Sequence, residues 1–505
     1  MTTIKRVLVA NRGEIALRII RACHEEGLGA VAVYSEADRL APHVRAAEIA
    51  VPIGPAPAPQ SYLDGAKLID AARRSECQAI HPGYGFLSER APFAEAVTAA
   101  GLVFVGPPAA AIRAMGDKTE ARRRLQAAGV PIVPGTTRAV ADHAQARSEA
   151  ARLGYPVLLK AAAGGGGKGM RLIRAEGEVE SAFEAAASEA RNAFGAGELY
   201  LEKYLERPRH VEIQVLADSY GRVVALGERE CSIQRRHQKL IEEAPSLAVT
   251  PALRRRMSEA ATAAAGAVGY LGAGTIEFLL APTGEFYFLE MNTRLQVEHP
   301  VTELVYGVDL VREQLRVAMG QPLRVHAGTL QPRGHAIECR ITAEDPFNDF
   351  LPATGTVRHL RVPGGPGVRW DAGVEAGNEV TLYYDPLIAK LIVWGETRAV
   401  ALERMRRALR ELIIVGIPSA QAFHLRVMDD PDFKRGDVDT TYLERVGTRL
   451  LSAELRPELG RPLAVVAALL AEERRVAVTP QCPPHAPTAQ PSPWLLQARR
   501  EALRE

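Results

Sequence analysis

The sequence predicts an α/β protein of about three domains, and three observations lead to this prediction. The chain has 505 residues, enough for several hydrophobic cores. Its N-terminal part alternates apolar runs with amphipathic ones, which is the rhythm of a parallel sheet covered by helices. Later parts carry strand pairs of antiparallel character, and a composition of 47% hydrophobic and 24% charged residues is typical of a globular protein.

The first domain, predicted at residues 1–114, carries a parallel, Rossmann-like sheet. Its strands and helices are indicated, in order, by RVLVA, EIALRIIRACHEEG, AVAVYS, CQAIHPG, PFAEAVTAAG and LVFVG. The first turn reads ANRGE and not GxGxxG, so the glycine fingerprint of a dinucleotide-binding site is absent.

Two further domains are predicted at 115–330 and 334–446. The second domain begins with the helix KTEARRRLQAAG and continues with the strand PVLLKAAAGGGGKGMRLI and an Ala/Glu helix through 178–193. It ends with the strands HVEIQVLAD and VVALGERE, a hairpin at 275–291 and a helix after Thr302. The third domain runs from GHAIECRITAED to DTTYLER, and residues 447–505 are predicted to form a helical and then Pro-rich tail.

Charge and hydropathy argue against several classes of function. The formal net charge is only +2, which disfavours a nucleic-acid-binding surface. No apolar run approaches the length of a membrane span, the N-terminus lacks the apolar core of a signal peptide, and the five cysteines show no CxxC spacing. A cytoplasmic protein with reduced thiols, and with neither a membrane nor a nucleic acid as partner, is therefore expected.

Lysine is rare in this chain, with 9 residues against 53 arginines. A position that keeps Lys in such a chain suggests a need for a compact ammonium group, for example beside a phosphate or a small anion. Five of the nine lie between positions 118 and 239, namely Lys118, Lys160, Lys168, Lys203 and Lys239.

The glycine-rich stretch AAAGGGGKGM at 161–170 follows an apolar strand that ends at Lys160. A glycine run exposes backbone N–H groups to phosphate oxygens without interference from Cβ atoms. It is not a Walker A loop, because Gly169 follows Lys168 where a Ser or Thr would bind magnesium. A flexible turn is the alternative, but Lys160 and Lys118 favour phosphate binding.

The hairpin at 275–291 places acidic residues opposite each other. With its turn near Thr283 and Gly284, Glu277 lies opposite Glu290, and Asn292 shares the face of Glu290. Facing carboxylates repel each other unless a cation lies between them, and Mg²⁺ or Mn²⁺ takes carboxylate and amide oxygens. A solvated strand face is the alternative, which the three phenylalanines of the hairpin disfavour because they indicate burial.

Polar residues then follow the hairpin in TRLQVEHP, and they include Arg294, Gln296, Glu298 and His299. Arg294 offers a planar fork for a carboxylate-like anion, and Glu298 beside it is a candidate general base. The alternative is a salt-bridged loop.

Two more segments carry candidate substrate-binding residues. LEKYLERPRHVEIQV places Glu202 and Lys203 at the end of an apolar strand, where they can contact an adenine edge. RRHQK combines His237 with Lys239, a candidate pair for phosphate or bicarbonate, although a single His is more often structural.

Taken together, these strings resemble the biotin carboxylase branch of the ATP-grasp family over nearly the whole of 3–446. The resemblance is carried, in the family's order, by ANRGEIA, HPGYGFLSE, GGGGKGM, EKYLERPRHVEIQV, RECSIQRRHQK, EMNTRLQVEHPVTE and HAIECRI. It implies a three-domain ATP-grasp architecture, in which the Rossmann-like sheet domain precedes a central ATP-grasp domain with a mobile lid at about 131–206 and a C-terminal α+β domain.

The resemblance also implies roles for individual residues. The residues implied to bind ATP are Lys118, Lys160, Gly166, Gly167, Glu202, Lys203, Leu205, His210, His237, Glu277 and Glu290. The ligands implied for two Mg²⁺ or Mn²⁺ ions are Glu277, Glu290 and Asn292. The residues implied to bind bicarbonate or biotin are Tyr84, Lys239, Arg294, Gln296, Val297 and Arg340. The implied catalytic residues are Lys239, Arg294, Glu298 and Arg340.

The implied reaction is the ATP-dependent carboxylation of biotin by bicarbonate. Glu298 would deprotonate bicarbonate, which attacks the γ-phosphate to give carboxyphosphate. Carboxyphosphate then breaks down to CO₂ and phosphate, and the phosphate takes the proton from the biotin ureido nitrogen. Arg340 would stabilise the resulting biotin enolate.

The resemblance also implies partner proteins. The sequence has no AMKM-type biotinylation motif, so biotin is expected on a separate biotin carboxyl carrier protein. Carboxyltransferase subunits are expected as further partners and a homodimer as the assembly. Acetyl-CoA is the expected final acceptor, and another acyl-CoA or pyruvate stays open as an alternative.

Some alternatives stay open at this point. Ala163 and Lys168 stand where relatives often have Gly and Arg, which affects the expected details of the lid. Carbamoyl-phosphate-forming and aminoimidazole-ribonucleotide-carboxylating ATP-grasp enzymes share the metal hairpin, but RLQVEH and RRHQK argue against them. A non-catalytic carboxylase subunit would show a damaged site, whereas every expected polar group is present.

Overall fold

The computed structural model describes residues 3–136, 138–162, 170–195, 197–326 and 330–452, together with positions 465, 466, 468 and 469. The strands are β1 Arg6–Val9, β2 Gly29–Ser35, β3 Ile49–Gly54, β4 Ala79–His81, β5 Val103–Phe104, β6 Val157–Ala161, β7 Arg171–Ile173, β8 Leu199–Lys203, β9 Arg209–Ala217, β10 Val223–Arg235, β11 Gln238–Ala244, β12 Gly272–Leu280, β13 Phe286–Asn292, β14 His335–Thr342, β15 Glu344–Asp345, β16 Leu351–Pro352, β17 Gly355–Thr356, β18 His359–Arg361, β19 Val368–Ala372, β20 Glu379–Val380, β21 Leu387–Gly395 and β22 Ile413–Val415.

The helices are α1 Gly13–Glu25, α2 Pro42–Ala46, α3 Gly65–Arg74, α4 Ala91–Ala99, α5 Ala109–Gly116, α6 Lys118–Ala127, α7 His143–Leu153, α8 Val179–Phe194, α9 Pro251–Gly266, α10 His299–Tyr306, α11 Leu310–Ala318, α12 Arg398–Glu411, α13 Gln421–Asp429, α14 Pro431–Arg435 and α15 Tyr442–Leu451. Short 3-10 helices lie at Glu36–Asp38, Ala58–Gln60 and Glu176–Glu178. Within the described part of the chain, every helix is too short or too polar to cross a lipid bilayer.

The N-terminal sheet is parallel, as the sequence predicts, with the strand order β3-β2-β1-β4-β5. Helix α1 covers it because Ile15, Ile19 and Ile20 recur at helical spacing and are buried. Since β1 and β4 are parallel neighbours, the loops that follow them lie at the same edge of the sheet. This edge carries Arg12 and Tyr84, which line one cavity.

A second sheet of eight strands joins the segments predicted at 115–330 and 334–446. Its order is β13-β12-β9-β10-β11-β14-β21-β19, and β11 pairs antiparallel with β14. Nothing in the local sequence indicates this pairing, because the two strands are far apart in the chain. Each strand from β9 to β14 therefore contributes side chains to the same face of the sheet, and the polar residues described below lie on that face.

A small sheet of order β7-β6-β8 packs against α7 and α8 through buried residues such as Leu159 and Ile173. The sequence predicts one strand over PVLLKAAAGGGGKGMRLI, whereas the structure has β6 and β7 as two antiparallel strands at its ends. Gly166 and Gly167, as well as Ala163 and Lys168, lie outside the described residues.

The hairpin and the helix after it are close to the prediction. The chain turns at 281–285, where Gly284 adopts φ +85°, a conformation that favours glycine. Helix α10 begins at His299, slightly earlier than the predicted start after Thr302, because Pro300 occupies its first turn.

Candidate active site

Three neighbouring cavities lie along the face of the eight-stranded sheet. The first has a volume of about 450 Å³, the second about 600 Å³ and the third about 310 Å³. The first and second share Lys160, His210 and His237 in their walls. The second and third share Arg294 and Arg340. The second cavity therefore connects the other two.

The β12–β13 hairpin supplies the acidic wall of the second cavity. Glu277 pairs directly with Glu290 in the register of the two strands, as the sequence predicts. Asn292 lies beside them and donates from Nδ2 to Glu277 Oε1 over 2.8 Å. A β-bulge follows Glu277, so the strand pairing shifts by one residue next to the carboxylates.

The two carboxylates of this hairpin have different electrostatic surroundings. Burial acts to raise the pKa of Glu277, but Lys239 and His210 outweigh it and hold this pKa well below the usual value. Burial raises the pKa of Glu290, and the charge of Glu277 raises it further against the attraction of Lys118. Among the described residues, none makes a hydrogen bond or an ion pair to Glu290. Its carboxylate is thus available to a cation.

Lys239, on β11, is the central cation of the site. Its ammonium group donates to Glu212 Oε2 at 2.6 Å, to Glu298 Oε1 at 2.7 Å and to Glu277 Oε1 at 2.8 Å. Burial acts to lower the pKa of Lys239, but the three carboxylates, led by Glu212, outweigh it and raise this pKa well above the usual value. The ammonium group is therefore charged and held in one position.

Glu298 lies at the N-cap of α10, between Lys239 and Arg340. Its Oε2 accepts from Arg340 Nη2 at 3.0 Å, while its Oε1 accepts from Lys239. Burial acts to raise the pKa of Glu298, but Lys239 and Arg340 outweigh it and lower this pKa. The carboxylate is ionised and able to accept a proton, although its basicity is reduced.

Arg294 lines the second cavity together with Glu298, but its hydrogen-bond partners are other groups. Its Nε donates to Glu89 Oε2 over 2.8 Å and its Nη2 to Asn292 Oδ1 over 3.0 Å. Glu89 comes from the N-terminal domain, so this ion pair connects the loop after β13 to the first sheet. Arg294 still lines both the second and the third cavity.

Gln296 and Val297 contribute in less direct ways. Gln296 is buried and bridges two other groups, since Nε2 donates to Glu277 Oε1 at 2.8 Å and Oε1 accepts from Arg229 Nη2 at 2.8 Å. Val297 lines the second and third cavities, and its carbonyl accepts from Lys390 Nζ at 2.8 Å. Tyr84 lines the third cavity and donates to Glu14.

The remaining predicted residues surround the first cavity, whose lining includes Glu202, Lys203, Leu205, His210 and His237. The buried Glu202 accepts from Lys160, and Lys203 donates to the carbonyl of Gly154 at 2.8 Å. Burial lowers the pKa of His237, and Lys160 lowers it further, so this ring is neutral at neutral pH.

Lys118 lines the second cavity. Burial lowers its pKa against the attraction of Glu290. Gly166 and Gly167 fall outside the described residues, so the structure places nothing for them.

Sequence reasoning missed the groups that hold this site together. The buried Arg229 donates to Glu212 at 2.5 Å, to Gln214 at 2.7 Å and to Thr302 at 2.9 Å. Glu212 pairs with Glu277 in the register of β9 and β12, and with Arg229 in that of β9 and β10. Arg229 in GERE and Glu212 in HVEI follow the ordinary two-residue alternation of a strand, so their spacing does not mark them as site residues. The only signal in the sequence is a charged residue at a strand position that is expected to be buried.

Comparison with protein families matches nearly the whole described part of the chain. Residues 3–112 match the model of the biotin carboxylase N-terminal domain, and residues 338–445 match that of the biotin carboxylase C-terminal domain. Residues 117–326 match the ATP-binding domain of the carbamoyl-phosphate synthase L chain.

Individual relatives and solved structures agree with these matches. The chain is 54% identical to a biotin carboxylase of Nostoc over 87% of its own length and 99% of the relative. It is 52% identical to a subunit of pyruvate carboxylase from Methanothermobacter thermautotrophicus, over 89% of its own length and 91% of the relative. The biotin carboxylase domain of Hydrogenobacter thermophilus 2-oxoglutarate carboxylase, solved as a dimer with MgADP, ADP and bicarbonate, superposes with a TM-score of 0.86 at 48% identity, covering 90% of this chain and 100% of that one.

Proposed function

The chain belongs to the biotin carboxylase family and is an ATP-dependent ligase that carboxylates biotin, and we propose that it takes the carboxyl group from bicarbonate and acts on biotin carried by a separate protein. The observation that supports this proposal is the position of Glu298. It lines the second cavity and lies between Lys239 and Arg340, and Arg340 also lines the third cavity. A base at this point has access to groups bound in the second cavity.

We assign the first cavity to the nucleotide. Apolar groups such as Leu205 and Leu289 line it together with the polar Glu202 and Lys203, as an adenine ring with an exocyclic amine requires. Lys160 and His237 lie where this cavity meets the second, so the phosphates extend towards the acidic hairpin. We further propose, as the family resemblance implies, that the segment of about 131–206 is the lid of the nucleotide site and that Gly166 and Gly167 bind the phosphates.

The residues of the hairpin fit a divalent cation. Glu277, Glu290 and Asn292 supply hard oxygen ligands at one end of the second cavity, and Glu290 has no other partner among the described residues. Magnesium or manganese bound there neutralises charge on the phosphoryl group that is transferred. Two ions at this site are part of the proposal.

The proton and charge transfers are assigned to three residues. Glu298 accepts the proton of bicarbonate, because it is ionised and reaches the second cavity. Lys239 holds this carboxylate in place and neutralises the bicarbonate that attacks the phosphorus. Arg294 lines the same cavity and orients the anion with its guanidinium fork.

The third cavity is assigned to biotin. Arg340 lines it and donates to the enolate oxygen that forms when the ureido nitrogen loses its proton. Tyr84 lies in the same wall and bounds the ring. Because Arg340 also contacts Glu298, the carboxylation site and the bicarbonate site share one guanidinium group.

The wider assembly is also proposed. A biotin carboxyl carrier protein supplies the biotin, carboxyltransferase subunits complete the reaction, and two copies of the chain form a homodimer, as in the dimeric Hydrogenobacter domain. Acetyl-CoA, and with it fatty acid biosynthesis, is the proposed destination. The relatives include one subunit of pyruvate carboxylase and one of methylcrotonoyl-CoA carboxylase, at 52% and 51% identity, so identity does not separate these acceptors. The cytoplasmic location stays a prediction.

The test is ATP cleavage by the purified chain with magnesium, bicarbonate and free biotin. We expect the rate of ATP cleavage to depend on bicarbonate and to increase when biotin is added. We also expect the label of labelled bicarbonate to appear in the carboxyl group of carboxybiotin. Glu298→Gln is the matched control, since it keeps the shape of the side chain. Cleavage that needs ammonia, or that ignores biotin, would contradict the proposal. Adding the carrier and carboxyltransferase subunits from the same organism, with acetyl-CoA or pyruvate, identifies the acceptor.

A further inference from the structure

A second pair of facing carboxylates lies behind the active site. Glu242 on β11 pairs directly with Glu338 on β14, so both side chains lie on the same face of the sheet. Both residues have 0% exposed surface. Glu338 lies in the string HAIECRI, but the reaction described above does not use the pair.

The two carboxylates have few hydrogen-bond donors. Glu242 Oε1 accepts from Arg340 Nε at 2.6 Å. The other oxygen of Glu242 and both oxygens of Glu338 accept no hydrogen bond from any protein group in the described part of the chain. A buried carboxylate without donors is strongly destabilised as an anion.

The nearby cations are engaged by other groups. The charged or titratable groups that face the pair are Lys239, Glu298, Arg340, Lys390, Tyr84, Cys231 and Cys339. Lys390 binds the Val297 carbonyl at 2.8 Å and lies 3.1 Å from Glu14 Oε1. Lys239 binds three other carboxylates, and Arg340 is divided between Glu242 and Glu298. The surrounding charge therefore compensates one anion of the pair and not two.

We propose that Glu242 and Glu338 together hold one proton in the working enzyme, and that the single remaining negative charge positions Arg340 towards Glu298 and the third cavity. This inference rests on the proposed function, which assigns Arg340 to the biotin enolate. Glu242 is the anion, because it accepts from the guanidinium, and Glu338 is the neutral acid. Both are positioning residues that act through Arg340.

The titration of both groups agrees with this assignment. Burial raises the pKa of Glu242 to about 7 against the attraction of Arg340. Burial raises the pKa of Glu338 well above the usual value, although Lys390 attracts its anion, and Glu242 raises it further. Both shifts favour a proton on the pair, and Glu338, which has no donor in the described part of the chain, is the member that holds it.

The sign of the pH dependence follows from these raised pKa values. Above the usual Glu pKa of about 4.3, the folded protein holds protons that the unfolded chain has released. Their stabilising contribution is complete below that pH and is lost as the pH rises through the raised pKa of each group, which is about 7 for Glu242. Loss of the last proton places a second negative charge beside Arg340.

The experiment compares Glu338→Gln and Glu242→Gln with the native protein and with Glu259→Gln, an exposed control on α9. The melting temperature and kcat/KM for biotin are measured from about pH 6.5 to about pH 9.5, a range that starts just below the pKa of about 7 of Glu242. Glu338→Gln has a side chain of the same shape that stays neutral at alkaline pH. We therefore expect its melting temperature and its kcat/KM for biotin to fall less with rising pH than those of the native protein. We expect Glu242→Gln to raise KM for biotin about tenfold or more, because a charged hydrogen bond to Arg340 is lost.

Parallel alkaline profiles of the native protein and Glu338→Gln would overturn the proposal, as would an unchanged biotin KM in Glu242→Gln. A second measurement is the infrared band of a protonated carboxyl group in the native protein near neutral pH, which Glu338→Gln should lose. If Glu338→Gln does not fold, Glu338→Asp is measured instead, and this substitution should shift the frequency of the same infrared band. A band at the native frequency would contradict the proposal. Failure of the proposed function would show as absence of biotin-dependent ATP cleavage in the native protein. The melting and infrared results test the shared proton independently.

Discussion

Two pairs of facing carboxylates lie in the same eight-stranded sheet, and they differ in almost every property except their register. Glu277 and Glu290 pair across β12 and β13, and Glu242 and Glu338 pair across β11 and β14. The first pair lines the second cavity, whereas neither member of the second pair lines any of the three cavities described above. The first pair faces the proposed substrate cavity, and the second lies behind residues that line it.

The charges near each pair explain the difference. Glu277 receives hydrogen bonds from Lys239, Asn292 and Gln296, and its pKa is held well below the usual value because Lys239 and His210 outweigh burial. Glu338 has no donor among the described protein groups, and burial raises its pKa. Strand register brings two acids together, but the position of the cations decides whether both ionise.

Glu298 connects the two pairs. Lys239 links it to Glu277, and Arg340 links it to Glu242. A change at either pair therefore reaches the proposed base through one cation, and the predictions below test the two sides of this connection.

The largest effect is expected from Glu290→Gln. Removing one carboxylate charge weakens the cation site, and metal stabilisation of a transferring phosphoryl group amounts to several kcal/mol, so kcat should fall by at least about a thousandfold. The fold should persist, because the change relieves repulsion from Glu277. Steady-state rates over a range of magnesium concentrations check this. Near-native activity at ordinary magnesium would remove the metal assignment.

A large effect is also expected from Glu298→Gln. The amide keeps the size of the side chain but cannot accept a proton, and general-base assistance accounts for about 10² to 10⁴ in rate. We expect kcat to fall within that range while the Kd of ATP changes little, because Glu298 does not line the first cavity. A normal kcat combined with weak ATP binding would instead show that Glu298 supports the nucleotide site.

An intermediate effect is expected from Lys239→Arg. The ammonium group makes contacts of 2.6–2.8 Å to three carboxylates, and a planar guanidinium cannot converge on all three from the same position. The loss of one charge-assisted hydrogen bond, about 1.5–3 kcal/mol, predicts a fall in kcat/KM for bicarbonate of about tenfold to a hundredfold. Retention of both KM and kcat would show that the site does not require an ammonium group.

The smallest effect is expected from Glu89→Gln. Its ion pair with Arg294 is partly exposed, with 38% of the Glu89 side chain accessible, and such pairs contribute about 0–1 kcal/mol. We expect kcat/KM for bicarbonate to fall by less than about fivefold, since Asn292 still accepts from Arg294. High salt should reduce the difference from the native protein. A loss as large as that of Lys239→Arg would mean that Glu89 sets the position of Arg294 by itself.

Features that depend on local geometry could be predicted from the sequence. The register of Glu277 and Glu290 follows from the two-residue period of strands and from a turn centred near Gly284, so one hairpin was enough to predict it. The parallel N-terminal sheet follows from the alternation of apolar and amphipathic runs. The family resemblance, carried by several long strings, predicted an enzyme whose relatives the comparisons then found.

Which distant groups meet depends instead on tertiary packing. The pairing of β11 with β14 joins two predicted domains in one sheet and places Glu242 against Glu338. It also brings Arg340 to Glu298, and β9 and β10 bring Glu212 and Arg229 beside Lys239. Such pairings arise because the apolar surface of a sheet must be covered and each buried charge needs a partner. Those requirements act on the folded chain as a whole, so no single stretch of sequence contains them.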